Sequence, residues 1–80
     1  MAKLDNWRAG MALAVGKDGS LAPHMVFAGK VTGHSRLEDG ADIVTSVVVD
    51  VDGEHNPPQW MQTLNTRYEL GEPYQDPKAN

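Results

Sequence analysis

The residues best able to do chemistry lie in one short segment, residues 32–36, which offers an imidazole, two hydroxyls, a guanidinium and a glycine amide. An arginine fork combined with backbone donors in a compact loop is suited to holding one phosphate or carboxylate group. Thr45 and Ser46 are expected opposite this segment in a hairpin, and Arg67 is expected to reach the same rim. The sequence therefore predicts a ligand site made of Gly33, His34, Ser35, Arg36, Thr45, Ser46 and Arg67.

The same segment also has a purely structural interpretation. Its hydroxyls can bond their own backbone, and Arg36 can pair with Glu38 or Asp39. A catalytic interpretation would use His34 with a carboxylate such as Asp42. A general base needs a nucleophile or a second carboxylate held nearby, and the sequence locates neither. We therefore predict that the protein is not an enzyme and has no catalytic residues.

Metal and cofactor chemistry has little support in the sequence. There are no cysteines, and His24, His34 and His55 fall on different predicted segments without metal-ligand spacing. Residues 50–54 resemble the start of a calcium loop, but Met61 stands where the bidentate glutamate should be. We predict no metal and no cofactor, and an acidic hairpin tip at residues 50–54.

Three Asp-Gly pairs, at residues 18–19, 39–40 and 52–53, indicate where the chain turns. Asp-Gly between apolar runs is a strong hairpin signal, because tight turns need residues that tolerate a positive φ. The β-branched run at residues 41–51 lies between the last two pairs and carries valines on both faces, which predicts a central strand. Residues 24–33 are predicted as its partner strand.

Inside that partner strand, Met25, Phe27 and Val31 are expected to point inward, and Gly29 and Gly33 indicate a bulge or a sharp bend.

Two segments fit either a helix or strands. Residues 56–70 place Trp60, Leu64 and Tyr68 at helical spacing, but a two-residue turn at residues 65–66 would also allow two short strands, which we favour. In residues 5–15 an Asp cap would allow a helix, whereas an interior glycine and alternating apolar residues favour a strand.

The predicted fold class is all-β, a small antiparallel meander of about five short strands that forms an SH3-like barrel or a strongly bent sheet. Residues 1–73 are expected to form the single small domain, and residues 74–80 a flexible C-terminal tail.

Size and charge narrow the classes of partner. The 80-residue chain has a net charge of −4, and residues 37–66 contain no Lys or Arg, so its surface should repel a nucleic-acid backbone. No apolar run approaches the roughly 20 residues of a membrane span. The lack of cysteine is compatible with a reducing cytoplasm, where we expect the protein to be located. A core this small is commonly supplemented by self-association, so a homo-oligomer is expected.

The aromatic and methionine residues at Trp60, Met61 and Tyr68 are the predicted interface if they are exposed. Trp and Tyr suit this role because each has a large apolar body and a polar tip. The alternative is that they belong to the core, as most aromatic residues of so small a domain should.

A set of short motifs resembles a pattern found in a group of short, uncharacterised bacterial and phage proteins. The motifs are Leu-Ala-Pro at 21–23, Gly-Lys-Val-Thr-Gly-His at 29–34, Asp-Gly at 39–40, Thr-Ser at 45–46 and Thr-Leu-Asn-Thr-Arg-Tyr-Glu-Leu-Gly-Glu-Pro at 63–73. The likeness covers roughly residues 4–73. Ser35 stands where the group often has Pro, and His24 where an acidic residue is common. The resemblance implies a small accessory protein of mobile elements and carries no activity.

Two functions from different classes follow. The first is a non-catalytic accessory binding protein, phage- or mobile-element-associated, that occupies a partner protein as a homo-oligomer; the acidic surface favours a basic partner. The alternative is a sequestering protein that holds a phosphorylated metabolite or a signalling nucleotide near residues 33–36.

Overall fold

The protein is all-β, as the sequence predicts. The computed structural model describes residues 1–75 and contains no helix in that range. Its strands are β1 (Ala2–Val15), β2 (Leu21–Thr32), β3 (Ala41–Val44), β4 (Val48–Val51), β5 (Trp60–Thr63) and β6 (Arg67–Leu70). They form one sheet in the order β3-β2-β1-β6-β5-β4. Neighbouring strands are antiparallel except β1 and β6, which are parallel. The sheet is therefore mixed and six-stranded rather than a five-stranded antiparallel meander.

The first Asp-Gly pair forms the turn of a long β1–β2 hairpin. Gly16 donates its N–H to Ser20 O at 2.8 Å, and Gly19 donates to Gly16 O at 3.0 Å with a φ of 81°. The Asp18 carboxylate accepts bonds from the Ser20 N–H and hydroxyl. A turn that ends in a glycine of positive φ is a common way to join antiparallel strands, so this part of the prediction is confirmed.

A β-bulge lies on β1 opposite Gly29. Asp5 pairs with Lys30 and Arg8 with Ala28, so two residues of β1 face the single residue Gly29. Asn6, within the bulge, has a φ of 53°. A Cβ on Gly29 would lie only 2.8 Å from Asp5 O, so the close approach of the bulged strand requires glycine here. The bulge predicted near Gly29 is present, but the extra residue belongs to the partner strand.

The prediction of one central strand over residues 41–51 is wrong. The run divides into β3 and β4, which occupy the two outer positions of the sheet. Thr45 causes the break: its N–H donates to Phe27 O at 2.8 Å, and its hydroxyl accepts the Phe27 N–H at 3.0 Å. The side chain therefore replaces the next backbone partner of the ladder, and the chain leaves β2.

The short link between β3 and β4 requires the sheet to be strongly bent. In a flat six-stranded sheet the outer strands would lie about 24 Å apart, whereas a three-residue link spans at most about 14 Å. Within residues 1–75 no ladder joins β3 to β4, so the sheet stays open and the SH3-like barrel is not confirmed.

The core lies between the two halves of the bent sheet. Trp7 and Phe27 stack with ring centroids 5.3 Å apart. Phe27 and Val31 point inward as predicted, whereas Met25 is 42% exposed. The buried apolar residues are Ala2, Leu4, Trp7, Phe27, Val31, Met61, Tyr68 and Leu70.

The ambiguous segment at residues 56–70 contains two short strands, β5 and β6, as favoured above. The β5–β6 turn is organised by Thr63, which is 2% exposed. Its hydroxyl accepts the N–H groups of Asn65 and Thr66 at 3.2 and 3.0 Å. Because the Thr63 hydroxyl forms hydrogen bonds with the backbone of the turn, this polar group is buried without losing hydrogen-bond partners.

At the C-terminal end of the described chain, Tyr74 is held against β1. Its N–H donates to Trp7 O at 2.7 Å, and its ring lies beneath the guanidinium of Arg8. Tyr74 is the first residue of the C-terminal tail predicted over residues 74–80. Residues 76–80 lie outside the described residues.

Candidate functional site

Six of the seven predicted ligand residues line one surface groove of about 930 Å³. The loop after β2, the link between β3 and β4, and the β5–β6 turn meet there. We call this site the groove. Its lining consists of Met1, Ala2, Gly33, His34, Ser35, Arg36, Leu37, Ser46, Asn65, Thr66, Arg67 and Tyr68.

The groove lining is cationic although the chain is acidic overall. Among residues 1–75, Arg36 and Arg67 line it and no Asp or Glu does, whereas the whole chain has a net charge of −4. The ion pairs among residues 1–75 join other groups: Lys3 to Asp5, Lys30 to Asp42, and His55 to Asp52. The predicted alternative pairing of Arg36 with Glu38 or Asp39 does not form in this part of the chain. Both guanidiniums are therefore available to an anion.

Arg67 is supported from below by an aromatic ring. Its Cζ atom lies 4.2 Å from the ring centroid of Trp60, which is within the range of a cation–π contact. This contact restricts the guanidinium to one side of the rim. Trp60 is half-buried partly for this reason, so only a fraction of its surface remains for the interface that the sequence predicts.

The loop at residues 33–36 is fixed by its own hydrogen bonds. Gly33 has a φ of 69° and donates its N–H to Asp39 Oδ1 at 2.9 Å. Arg36 donates its N–H to His34 Nδ1 at 3.0 Å. The glycine amide expected to bind the ligand is thus already occupied within the chain. The loop offers side chains on a rigid backbone instead.

His34 has one ring nitrogen free for a ligand. Since Nδ1 accepts a hydrogen bond, the neutral ring carries its hydrogen on Nε2, which can donate. The ring stacks on Tyr68 with centroids 6.1 Å apart. Burial raises the pKa of Tyr68, so its phenol stays neutral over the ordinary pH range. Asp42, the carboxylate considered for a catalytic pair with His34, is outside the groove lining and bonds Lys30 Nζ at 3.1 Å.

Thr45 is the predicted ligand residue that the groove does not include. Thr45 is only 6% exposed. Its hydroxyl accepts from the Phe27 N–H and donates to Ser46 O at 3.0 Å. Thr45 therefore holds β2 and the β3–β4 link together, and its neighbour Ser46 faces the groove.

The predicted interface residues are mostly internal. Met61 is fully buried and Tyr68 is 5% exposed, and both belong to the core. They follow the inward face of β5 and β6, respectively. The interface was predicted on the condition that Trp60 or Met61 is exposed. Met61 does not meet this condition, and Trp60, which is half-buried, meets it only in part.

The expected acidic hairpin tip at residues 50–54 is instead a loop organised around one buried carboxylate. Asp52, whose side chain is 2% exposed, accepts the N–H groups of Glu54 and Gln59 at 2.8 and 3.0 Å. It also contacts His55 Nδ1 at 2.8 Å. Donation from the Gln59 and Glu54 backbone, followed by His55, lowers the pKa of Asp52 to about 2. Residues 1–75 contain no cluster of three metal-ligating side chains.

Sequence reasoning missed two features. Asn65 and Thr66 line the groove beside Arg67, but their sequence pattern was interpreted only as a turn. The outer part of the β1–β2 hairpin exposes Met11, Leu13 and other large apolar residues, whose alternation was used only to favour a strand. For these exposed apolar residues, the signal available in the sequence was the length of the two apolar strands.

Comparisons of the chain with protein-family models, with curated proteins and with solved structures each found no match. Within residues 1–75, no helix has the length and apolar character needed to cross a membrane.

Proposed function

We propose that the protein is a non-catalytic binding protein that sequesters a small anionic ligand in the groove, of the class of phosphorylated metabolites and nucleotides. One observation carries the proposal: an acidic chain brings Arg36 and Arg67 to one groove, to whose lining residues 1–75 contribute no Asp or Glu. Like charges that line one groove repel each other, and an anion bound in the groove would offset that repulsion.

The other groups of the groove extend this chemistry. Arginine forks bind phosphate oxygens in a bidentate manner, and the His34 Nε2–H and the Ser46 and Thr66 hydroxyls add neutral donors. A volume of about 930 Å³ is in the range of small-molecule sites, so a ligand larger than phosphate fits. No nucleophile and base are held together at the groove, which favours holding the ligand unchanged.

The experiment is a thermal-shift titration with four probes: ADP, ribose 5-phosphate, inorganic phosphate and adenosine. A phosphorylated ligand at a hundred times its Kd adds about 2.7 kcal/mol of stability, a rise in Tm of roughly 11–22 °C for a domain of this size. Arg36→Ala or Arg67→Ala removes a charge-assisted bond and should weaken binding about tenfold to a hundredfold.

Arg8→Ala is the matched control, because the Arg8 guanidinium packs on Tyr74 and lies outside the groove. The control should bind like the wild-type protein. A Tm that none of the phosphorylated probes raises, or equal losses in Arg8→Ala and Arg36→Ala, would contradict the proposal.

A second candidate is occupation of a basic partner protein by an accessory protein of mobile elements, acting as a homo-oligomer in the cytoplasm. A specific observation favours it: between residues 37 and 66 the side chains of Glu38, Asp39, Asp42, Asp50 and Glu54 are exposed without a Lys or Arg among them. Such a surface steers a basic partner and suppresses acidic ones. Asp50→Lys with Glu54→Lys should abolish that association and leave ADP binding intact, whereas Arg36→Ala should do the reverse.

A further inference from the structure

The outer half of the β1–β2 hairpin carries an apolar face that no other part of residues 1–75 covers. Residues 10–15 of β1 pair with residues 21–26 of β2. Three cross-strand pairs share one face, and all six residues are exposed: Met11 with Met25, Leu13 with Pro23, and Val15 with Leu21. The opposite face carries the half-buried residues Ala14, Ala22, His24 and Val26 together with the smaller Gly10 and Ala12. We call the first surface the arm face.

The arm face continues the core side of the sheet. Side chains alternate along a strand, so residues 21, 23 and 25 lie on the same side as the buried Phe27. On β1, residues 11, 13 and 15 lie on the same side as the buried Trp7. The core is covered by β5 and β6, which are four residues long, whereas β1 and β2 have fourteen and twelve. The covering strands are too short to reach the arm face.

We propose that the arm face is a dimer interface, covered by the arm face of a second copy of this chain across a two-fold axis. Leu13 and Pro23 form the middle pair of the three, so the axis passes near them. In a two-fold dimer the same patch meets itself, so the middle pair contacts its own equivalent and the two outer pairs contact each other across the axis.

Charge favours a second copy as the occupant. Each copy carries a net charge of −4, so two copies associate best through a surface without charge, and none of the six arm-face residues is charged. The same net charge opposes docking on an anionic lipid surface.

The area is also sufficient for a small dimer. Five of the six residues are large aliphatic residues between 42% and 70% exposed. At roughly 100 Å² for each such side chain, they supply roughly 500 Å² per copy, about the 1,000 Å² in total that a specific interface needs. A contiguous exposed apolar patch of this size is as large as the largest patch on a typical monomer, and such patches are often functional.

Dimerisation through the arm face is distinct from ligand binding in the groove and does not depend on it. Residues of the groove and of the arm face do not overlap. Arg36→Ala, which should lose the ligand, is therefore expected to remain dimeric, so failure of one proposal leaves the other measurable.

Analytical ultracentrifugation of the full chain tests the interface. The wild-type protein should sediment at twice the monomer mass, and Leu13→Glu at the monomer mass, with the Tm that the wild-type protein shows when it is diluted to the monomer. Leu64→Glu is the matched control: Leu64 is 70% exposed against 69% for Leu13 but lies in the β5–β6 turn, and this variant should stay dimeric. A monomeric wild-type protein across the dilution series, or a Leu13→Glu dimer, would overturn the proposal and assign the arm face to another occupant.

A mixing experiment distinguishes two reasons why a Leu13 variant would be monomeric: disruption of a specific two-fold contact, or a general loss of apolar surface. Leu13→Glu and Leu13→Lys should each be monomeric alone, and an equimolar mixture should form the mixed dimer, because opposite charges then meet near the axis. A mixture that stays monomeric would contradict the face-to-face arrangement.

Discussion

The guanidinium of Arg67 stacks on the ring of Trp60, with Cζ 4.2 Å from the ring centroid. This contact connects the groove to β5, because Trp60 begins that strand and Arg67 begins β6. One cation of the groove is thus positioned by an aromatic residue that does not line the groove itself.

Trp60→Leu is therefore expected to weaken binding of a phosphorylated probe such as ADP by about two- to fivefold, the value of an exposed cation–π contact. Isothermal titration calorimetry provides the measurement. In the Arg67→Ala background the same change should have no further effect on Kd. An equal effect of Trp60→Leu in both backgrounds would show that the ring does not act through Arg67.

Thr45 and its neighbour Ser46 should separate stability from binding. Thr45→Val leaves the buried Phe27 N–H without its acceptor, which should cost about 1–3 kcal/mol in the free energy of unfolding. Ser46→Ala should change stability little and weaken ADP binding. Urea denaturation and calorimetry measure the two quantities. If Thr45→Val abolished binding in the folded protein without destabilising it, the structural role assigned to Thr45 would be wrong.

Gly29→Ala should destabilise the fold, because the added Cβ would lie 2.8 Å from Asp5 O and 2.9 Å from Leu4 Cγ. Overpacking of this kind costs about 1–3 kcal/mol in the free energy of unfolding. Gly53→Ala is the control, since a Cβ there meets nothing within 4 Å. Urea denaturation of both variants should show a loss in the first only. Equal stabilities would contradict the close crossing at the β1 bulge.

The stability of the protein should fall as the pH is lowered through the window from about 4 to 2. The pKa of Asp52 is lowered in the folded state to about 2 from 3.8, so its carboxylate stabilises the fold above the higher value. That contribution disappears as the pH falls through the lower value. Asp52→Asn should be less stable at neutral pH, and its stability should fall less between about pH 4 and 2 than that of the wild-type protein. Asp50→Asn should keep the pH dependence of the wild-type protein. Chemical denaturation at several pH values distinguishes them, and parallel curves for the two variants would refute the role of Asp52.

Local turn chemistry was predictable, and long-range pairing was not. The glycines at Gly19 and Gly40 adopt the positive φ that their Asp-Gly pairs indicate. Gly53 does not, because its aspartate is used to organise the whole loop to Gln59. The division of residues 41–51 depends on Thr45 meeting Phe27, a contact across eighteen positions that a local pattern does not contain. The parallel pairing of β1 with β6 is equally non-local.

The candidate site was predicted largely because its parts lie in loops at one end of the sheet. His34 and Arg36 are local to one loop, so their proximity followed from the sequence. Arg67 joins them only because the sheet bends and places the β5–β6 turn beside that loop. The arm face was missed because alternation reports which residues share a face, and it does not report whether anything covers that face.

The central claim, that the groove binds a phosphorylated anion, is tested most directly by titrating the isotope-labelled protein with ADP and following its backbone amides by NMR. The account predicts saturable shifts confined to residues 33–37, 46 and 65–68, which in Arg36→Ala need about tenfold to a hundredfold more ADP. Absence of shifts at saturating ADP, or shifts centred outside the groove, would contradict it.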